Sequence, residues 1–172
     1  IGADSAVRIN KSPKDSYSTA IEIANYLKQN SFDLIIAGKE SLDYNGGAVP
    51  AMIAEILNMP FVNACNGLDI EGDVIKLSRE IDGGKEILAV SIPLVIGGQK
   101  GLVEESQLRI PNMRGIMQAR TKPLEVLEPF GSTEFSLSKS FEKPKDKGDC
   151  KLIDPNDVAM LVDLLHSEAK VI

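Results

Sequence analysis

The sequence predicts an α/β fold: a mostly parallel sheet with crossover helices, an antiparallel hairpin portion, and a C-terminal arm and helix. Two observations carry that expectation. A strand, helix, strand, helix order is legible from Ala6 to Leu57, and Asp33-Leu34-Ile35-Ile36-Ala37-Gly38 is the continuous apolar run of a parallel strand covered on both faces. Further on, two glycine turns, Glu71-Gly72-Asp73 and Asp82-Gly83-Gly84, separate apolar segments as hairpin turns do.

Taken in order, Ala6 to Asn10 alternates as a short strand does, and the following Lys-Ser-Pro-Lys-Asp breaks it. From Ser16 the residues Tyr17, Ala20, Ile21, Ala24 and Leu27 recur at helical spacing, a face expected to pack on the sheet. After the strand ending at Gly38 comes a polar loop, Lys39 to Gly47. A second helix follows through Val49, Met52, Ile53, Ile56 and Leu57, with Pro50 tolerated in its first turn. Leu68 to Ile70, Val74 to Glu80 and Ile87 to Ile96 are read as the strands around the two turns. Residues 99 to 122 form a basic, irregular loop with a short helix around Ile116, Met117 and Ala119, before a last short strand, Leu124 to Leu127. Glycine, serine, proline and lysine then make Pro129 to Asp149 an extended arm. Asp154-Pro155 provides an N-cap and first-turn pair for a terminal helix, with Val158, Leu161, Val162 and Leu165 along one face.

Composition excludes several classes. The chain of 172 residues can bury roughly two thirds of the surface its unfolded form exposes, enough for one core. No apolar run approaches the ~20 residues of a membrane span. A net charge of -6 argues against general nucleic-acid affinity. Cys65, Cys150 and the lone His166 have no metal-ligand spacing, and two cysteines make no disulfide framework, which fits a reducing compartment. Ile1 carries no signal-peptide features and reads as an internal position of a longer chain.

Catalytic constellations are missing: no serine has a spaced His and Asp, and Asp43, Glu80, Asp82 and Glu86 are too scattered for an acid/base pair. The strongest candidate is instead the loop from Gly38 into the second helix. A loop at the carboxyl end of a parallel strand that feeds a helix N-terminus presents unpaired N–H groups to an anion, and Gly46 and Gly47 let a phosphate approach closely. Alone, a Gly-Gly before a helix is as readily a tight turn. A second candidate is Arg109 to Met117, whose Met and Ile either cap the core or form an exposed apolar anchor.

The stretch Arg79-Glu80-Ile81-Asp82-Gly83-Gly84-Lys85-Glu86, then Leu88 and Pro93-Leu94-Val95-Ile96, resembles the signature of electron-transfer flavoprotein beta subunits. The likeness extends to Gly2-Ala3-Asp4, Asp33 to Asp43, the Met113 loop through Arg120, and the C-terminal helix. Leu77, Gly97 and Ala48-Val49 depart from the family pattern. The resemblance implies a doubly wound sheet of the adenine-nucleotide-binding type, here lacking its N-terminal strands and helix. It also implies a division into a nucleotide-binding domain, 1–127, and an arm and helix packing on a partner, 128–172.

It further implies an electron carrier and no enzyme of its own, paired as a heterodimer with an alpha subunit that holds most of the FAD, with AMP as a structural ligand. Electrons would pass from acyl-CoA dehydrogenases of fatty acid oxidation to a membrane quinone oxidoreductase, in the bacterial cytoplasm or the mitochondrial matrix. Matching cofactor positions are Gly38, Lys39, Glu40, Ser41, Asp43, Asn45, Gly46, Gly47, Ala48 and Val49. For partner docking they are Met113 as hydrophobic anchor with Arg109 and Ile110 beside it, and Glu80, which helps release the mobile FAD domain. Alternatives are an electron-bifurcating subunit with a second FAD in place of AMP, a stand-alone adenine-nucleotide-binding regulatory module, or an enzyme acting on an adenylate.

Overall fold

The computed structural model describes all 172 residues, in two units, Ile1–Ser138 and Lys139–Ile172. In the first, β1 (Ala6–Ile9) leads to α1 (Ser16–Gln29), capped by Asp15, whose carboxylate accepts the Ser18 N–H at 2.7 Å. The pattern repeats in β2 (Leu34–Gly38) and α2 (Ala48–Leu57). Four strands follow: β3 (Phe61–Glu71), β4 (Val74–Ile81), β5 (Gly84–Ser91) and β6 (Leu94–Gly98). Then come α3 (Met113–Ala119) and β7 (Leu124–Leu127). The main sheet has the order β2-β6-β3-β4-β5. It is parallel across β2, β6 and the start of β3, and antiparallel from the rest of β3 to β5. β1 and β7 form a separate parallel pair. The mixed sheet expected from the residue pattern is therefore present.

Both glycine turns are two-residue hairpins, closed by the pairs Glu71↔Val74 and Ile81↔Gly84. Each needs one residue at positive φ, and Gly72 (φ 62) and Gly83 (φ 85) supply it without a Cβ penalty. Alternation along β4 then sends Ile75 and Leu77 inward, where they join Val62, Cys65, Leu94 and Ile96 in the core.

Four expectations are corrected. The run Ile87 to Ile96 is two strands, split at the cis Ile92–Pro93 bond; Pro93 has no N–H to give a ladder, and β6 leaves β5 to lie between β2 and β3. β2 is an edge strand of this sheet, and Ile36 is 60% exposed where cover on both faces was expected. α1 packs chiefly on α2, and its small Ala20 and Ala24 are buried, so its partner is a helix in place of the sheet. The terminal helix α4 (Val158–Leu164) is capped by Asp157, which accepts the Met160 N–H, because the Asp154 carboxylate already closes a tight turn with the Asn156 N–H at 2.8 Å.

α4 belongs to the second unit, where a π-helical turn, Leu165–Ala169, extends it and Lys151 pairs with Glu168 at 2.8 Å. Val158, Met160, Leu161 and Val162 are exposed.

The beginning of the predicted arm is pinned within the first unit by carboxylates of α1. Glu22, buried on α1, accepts the N–H groups of Phe130 (2.6 Å) and Ser132 (3.0 Å), the Ser132 hydroxyl and the Lys11 ammonium. Burial alone would raise its pKa, but these donors outweigh it and hold Glu22 at about 2. Asp15 takes the N–H groups of Phe135 and Ser136 as well as its helix cap. Phe135 completes the clasp by meeting Tyr17 edge to face at 4.8 Å.

Candidate functional site

Two parallel strands, β2 and β6, end side by side, next to the point where β3 turns from parallel to antiparallel pairing. The Lys39 N–H donates to the Gly98 carbonyl at 3.0 Å, and the Gln99 N–H to the Cys65 carbonyl at 2.8 Å, so the carboxyl ends of β2 and β6 are locked to each other and to Cys65, where the parallel pairing of β3 stops. From this edge the chain leaves β2 as the loop Lys39 to Gly47. The Ser41 N–H donates to the Gly46 carbonyl at 2.9 Å, and Asn45 takes the left-handed conformation (φ 51) that closes the loop. Asp43 organises it from within: the Ser41 hydroxyl foremost, with its own N–H and that of Tyr44, holds its carboxyl below the usual range.

The loop then delivers α2. Gly47 is its N-cap, no side chain caps it and its first turn has no acidic residue, so the leading N–H groups keep no side-chain acceptor. Gly47 also stands against Lys39: a Cβ there would come within 3.1 Å of the Lys39 carbonyl. A side chain at this position would have to push the Lys39 carbonyl aside by a few tenths of an ångström.

The predicted cofactor residues Gly38, Lys39, Glu40, Ser41, Asp43, Asn45, Gly46, Gly47, Ala48 and Val49 are brought together as one continuous strand end, loop and helix start. Lys39 is half-exposed, its ammonium 3.9 Å from the Glu40 carboxylate. The predicted docking residues lie on other elements. Met113 opens α3 and is 72% exposed, and Arg109 and Ile110 precede it in coil, with Ile110 85% exposed. Asn112 caps α3 by accepting the Gly115 N–H at 2.8 Å, which fixes Met113 in the first helical position. Glu80 is on β4 and accepts the Asn66 amide at 3.3 Å; Asn66 in turn accepts the Ser78 hydroxyl at 2.9 Å. Next to it, Arg79 and Glu86 of the glycine-turn motif form an ion pair across β4 and β5.

Sequence reasoning missed Asn63. Its Oδ1 is enclosed and has no hydrogen-bond partner. It lies where β3 is irregular, between Val62 and Cys65, next to Ala64 at φ 58, and directly against the backbone of Gly97 on β6. The available signal was composition: asparagine is depleted in strands, and Asn63 and Asn66 both fall within β3. A cavity of about 430 Å³ lies elsewhere, between β1 and α1, lined by Val7, Ile9, Ile23 and Tyr26 among others, away from the loop.

Fold and site together define an α/β protein with a strand, a loop and an uncapped helix start at the carboxyl edge of its parallel strands. A family model for the electron transfer flavoprotein domain matches residues 1–129. The electron transfer flavoprotein subunit beta of Bacillus subtilis (strain 168) is 33% identical over the whole chain, which covers 71% of that relative. The subunit of the same name from Mycobacterium tuberculosis (strain ATCC 25618 / H37Rv) is 37% identical over 74% of the chain, and the human one 30% identical over 75%. The matched part spans about half the length of these two, 48% and 51%. The chain belongs to the electron transfer flavoprotein family, with beta subunits as its relatives.

Proposed function

We propose that the chain is the nucleotide-holding beta subunit of a heterodimeric electron carrier and catalyses no reaction alone. Its alpha subunit holds most of the FAD. Electrons enter from acyl-CoA dehydrogenases or similar flavoprotein dehydrogenases and leave to a membrane quinone oxidoreductase. In this reading AMP is a structural ligand, its phosphate at the α2 N-terminus, with the loop from Gly38 to Val49 around it and Lys39 as the nearest cation of that loop. The observation that carries the reading is the uncapped start of α2 behind Gly47, at the carboxyl edge of the parallel strands β2 and β6.

Met113, exposed on the first turn of α3, is the anchor for the dehydrogenase, and Arg109, Ile110 and Glu80 are the further docking residues. The exposed apolar face of α4 and the arm before it pack on the alpha subunit. Support for the docking assignment is that Met113 and Ile110 are large apolar residues held at the surface, a condition a folded chain tolerates best where a partner covers them. The test is reduction of the purified heterodimer by an acyl-CoA dehydrogenase. Met113→Ala should raise the dehydrogenase concentration needed for half-maximal rate about tenfold and leave FAD content unchanged. An unchanged rate at limiting dehydrogenase contradicts the docking assignment.

A further inference from the structure

β3 holds one residue more than β4 can pair. Cys65 stands opposite Arg79 and Gly67 opposite Ser78, its neighbour, so Asn66 is the extra residue of a bulge, left out of the ladder. A bulge re-aims a side chain, and the Asn66 amide donates to the Glu80 carboxylate at 3.3 Å while accepting the Ser78 hydroxyl at 2.9 Å. Because a carboxylate can only accept, the amide nitrogen must face Glu80, and Ser78 fixes that orientation from the other end. Gly67 leaves the space, since a Cβ there would collide with the Ser78 hydroxyl. The charges of the neighbouring strands show what the device does. Arg79 and Glu86 stand directly opposite one another on β4 and β5 and form an ion pair, and Lys76 pairs with Glu71. Glu80 stands directly opposite Lys85 in the same register, where side chains are within reach. The exposed Glu80 carboxylate nevertheless pairs with no cation and leans to the β3 side of β4, onto Asn66.

We propose that Asn66 is a positioning residue for partner docking: set by Ser78, it draws the Glu80 carboxylate away from Lys85 and keeps that charge open to a lysine or arginine of the docked dehydrogenase. The inference rests on the docking role given to Glu80 above. It adds the means by which the charge is kept available, and it makes Asn66, Ser78 and Glu80 a dependent set with Lys85 as the competing cation.

Reduction of the purified heterodimer by an acyl-CoA dehydrogenase, followed over a range of dehydrogenase concentrations, separates docking from the rate at saturation. Glu80→Gln should raise the half-saturating concentration about fivefold and leave the saturated rate and FAD content unchanged. Asn66→Ala frees Glu80 to pair with Lys85 and should raise it about threefold. Two combinations distinguish this from a merely structural role. Lys85→Gln, neutral alone, should restore most of the docking lost in Asn66→Ala, because no cation is left opposite to capture Glu80. In the Glu80→Gln background Asn66→Ala should add nothing, the signature of one shared interaction. Ser78→Ala leaves the backbone ladder intact and should give a smaller loss with the same rescue, so it decides if Asn66→Ala does not fold. An Asn66→Ala or Ser78→Ala variant that docks like the wild type, that Lys85→Gln fails to rescue, or whose loss adds in full to that of Glu80→Gln overturns the positioning role alone. Unchanged docking in Glu80→Gln overturns the docking role of Glu80 and this inference together.

Discussion

Glu22 shows how much one side chain can organise. It occupies a buried helical position next to the apolar stripe of α1, and its oxygens gather the backbone of residues 130–132, more than a hundred positions away. Glu22→Ala strands two N–H groups, and is expected to cost about 3 kcal/mol in urea unfolding. The pH dependence has a definite sign. The folded pKa is depressed from 4.5 to about 2, so the stabilisation is complete above 4.5 and fades as the pH falls from there through about 2. Hydrogen exchange at Phe130 and Ser132 should accelerate over that window relative to the α1 amides; unaltered protection down to its lower end would contradict the assignment. Nothing local in the sequence marks Glu22, because its partners are distant and are mostly backbone groups. Asn63 was only faintly marked, by an asparagine within a strand, because its neighbour Gly97 comes from another strand.

Elements were more legible than residues. Periodicity located α1 and α2, and the two glycine turns located the hairpins, since each of those signals is local. What failed was pairing: nothing in Ile87 to Ile96 says that the chain crosses from the β4 side of the sheet to a place between β2 and β3. The glycines of the second hairpin make a paired prediction. Gly83 has φ 85 and Gly84 has an ordinary backbone with open space around it. Gly83→Ala should destabilise by about 1–2 kcal/mol and Gly84→Ala by less than about 0.5 kcal/mol in the same denaturation assay. Equal costs would mean that the turn conformation is not what Gly83 supplies. At the loop, Gly47→Ala crowds the Lys39 carbonyl and should lower nucleotide affinity with only a small loss of stability, about 1 kcal/mol.

At the scale of the whole chain, the two units are held in different ways. Residues 130–136 are fastened to α1, whereas 139–150 is exposed coil containing Lys139, Lys143, Lys145 and Lys147. Limited trypsin treatment should cut first between Lys139 and Lys151 and leave residues 1–138 protected; first cuts inside β3 to β6 would contradict the division. The family was legible in the sequence because its motif, Arg79 to Glu86 with Pro93 to Ile96, is long and local, and the match to residues 1–129 bears it out. The candidate loop was less so, because it departs from the family pattern at Ala48-Val49 and backbone N–H groups read charge without reading a base.

In the function proposed, the strand, loop and helix start from Gly38 to Val49 hold one adenine mononucleotide. Mass spectrometry of the small molecules released from the purified, denatured complex should find one AMP and one FAD per heterodimer; two FAD without AMP, or no adenine mononucleotide at all, would overturn the assignment.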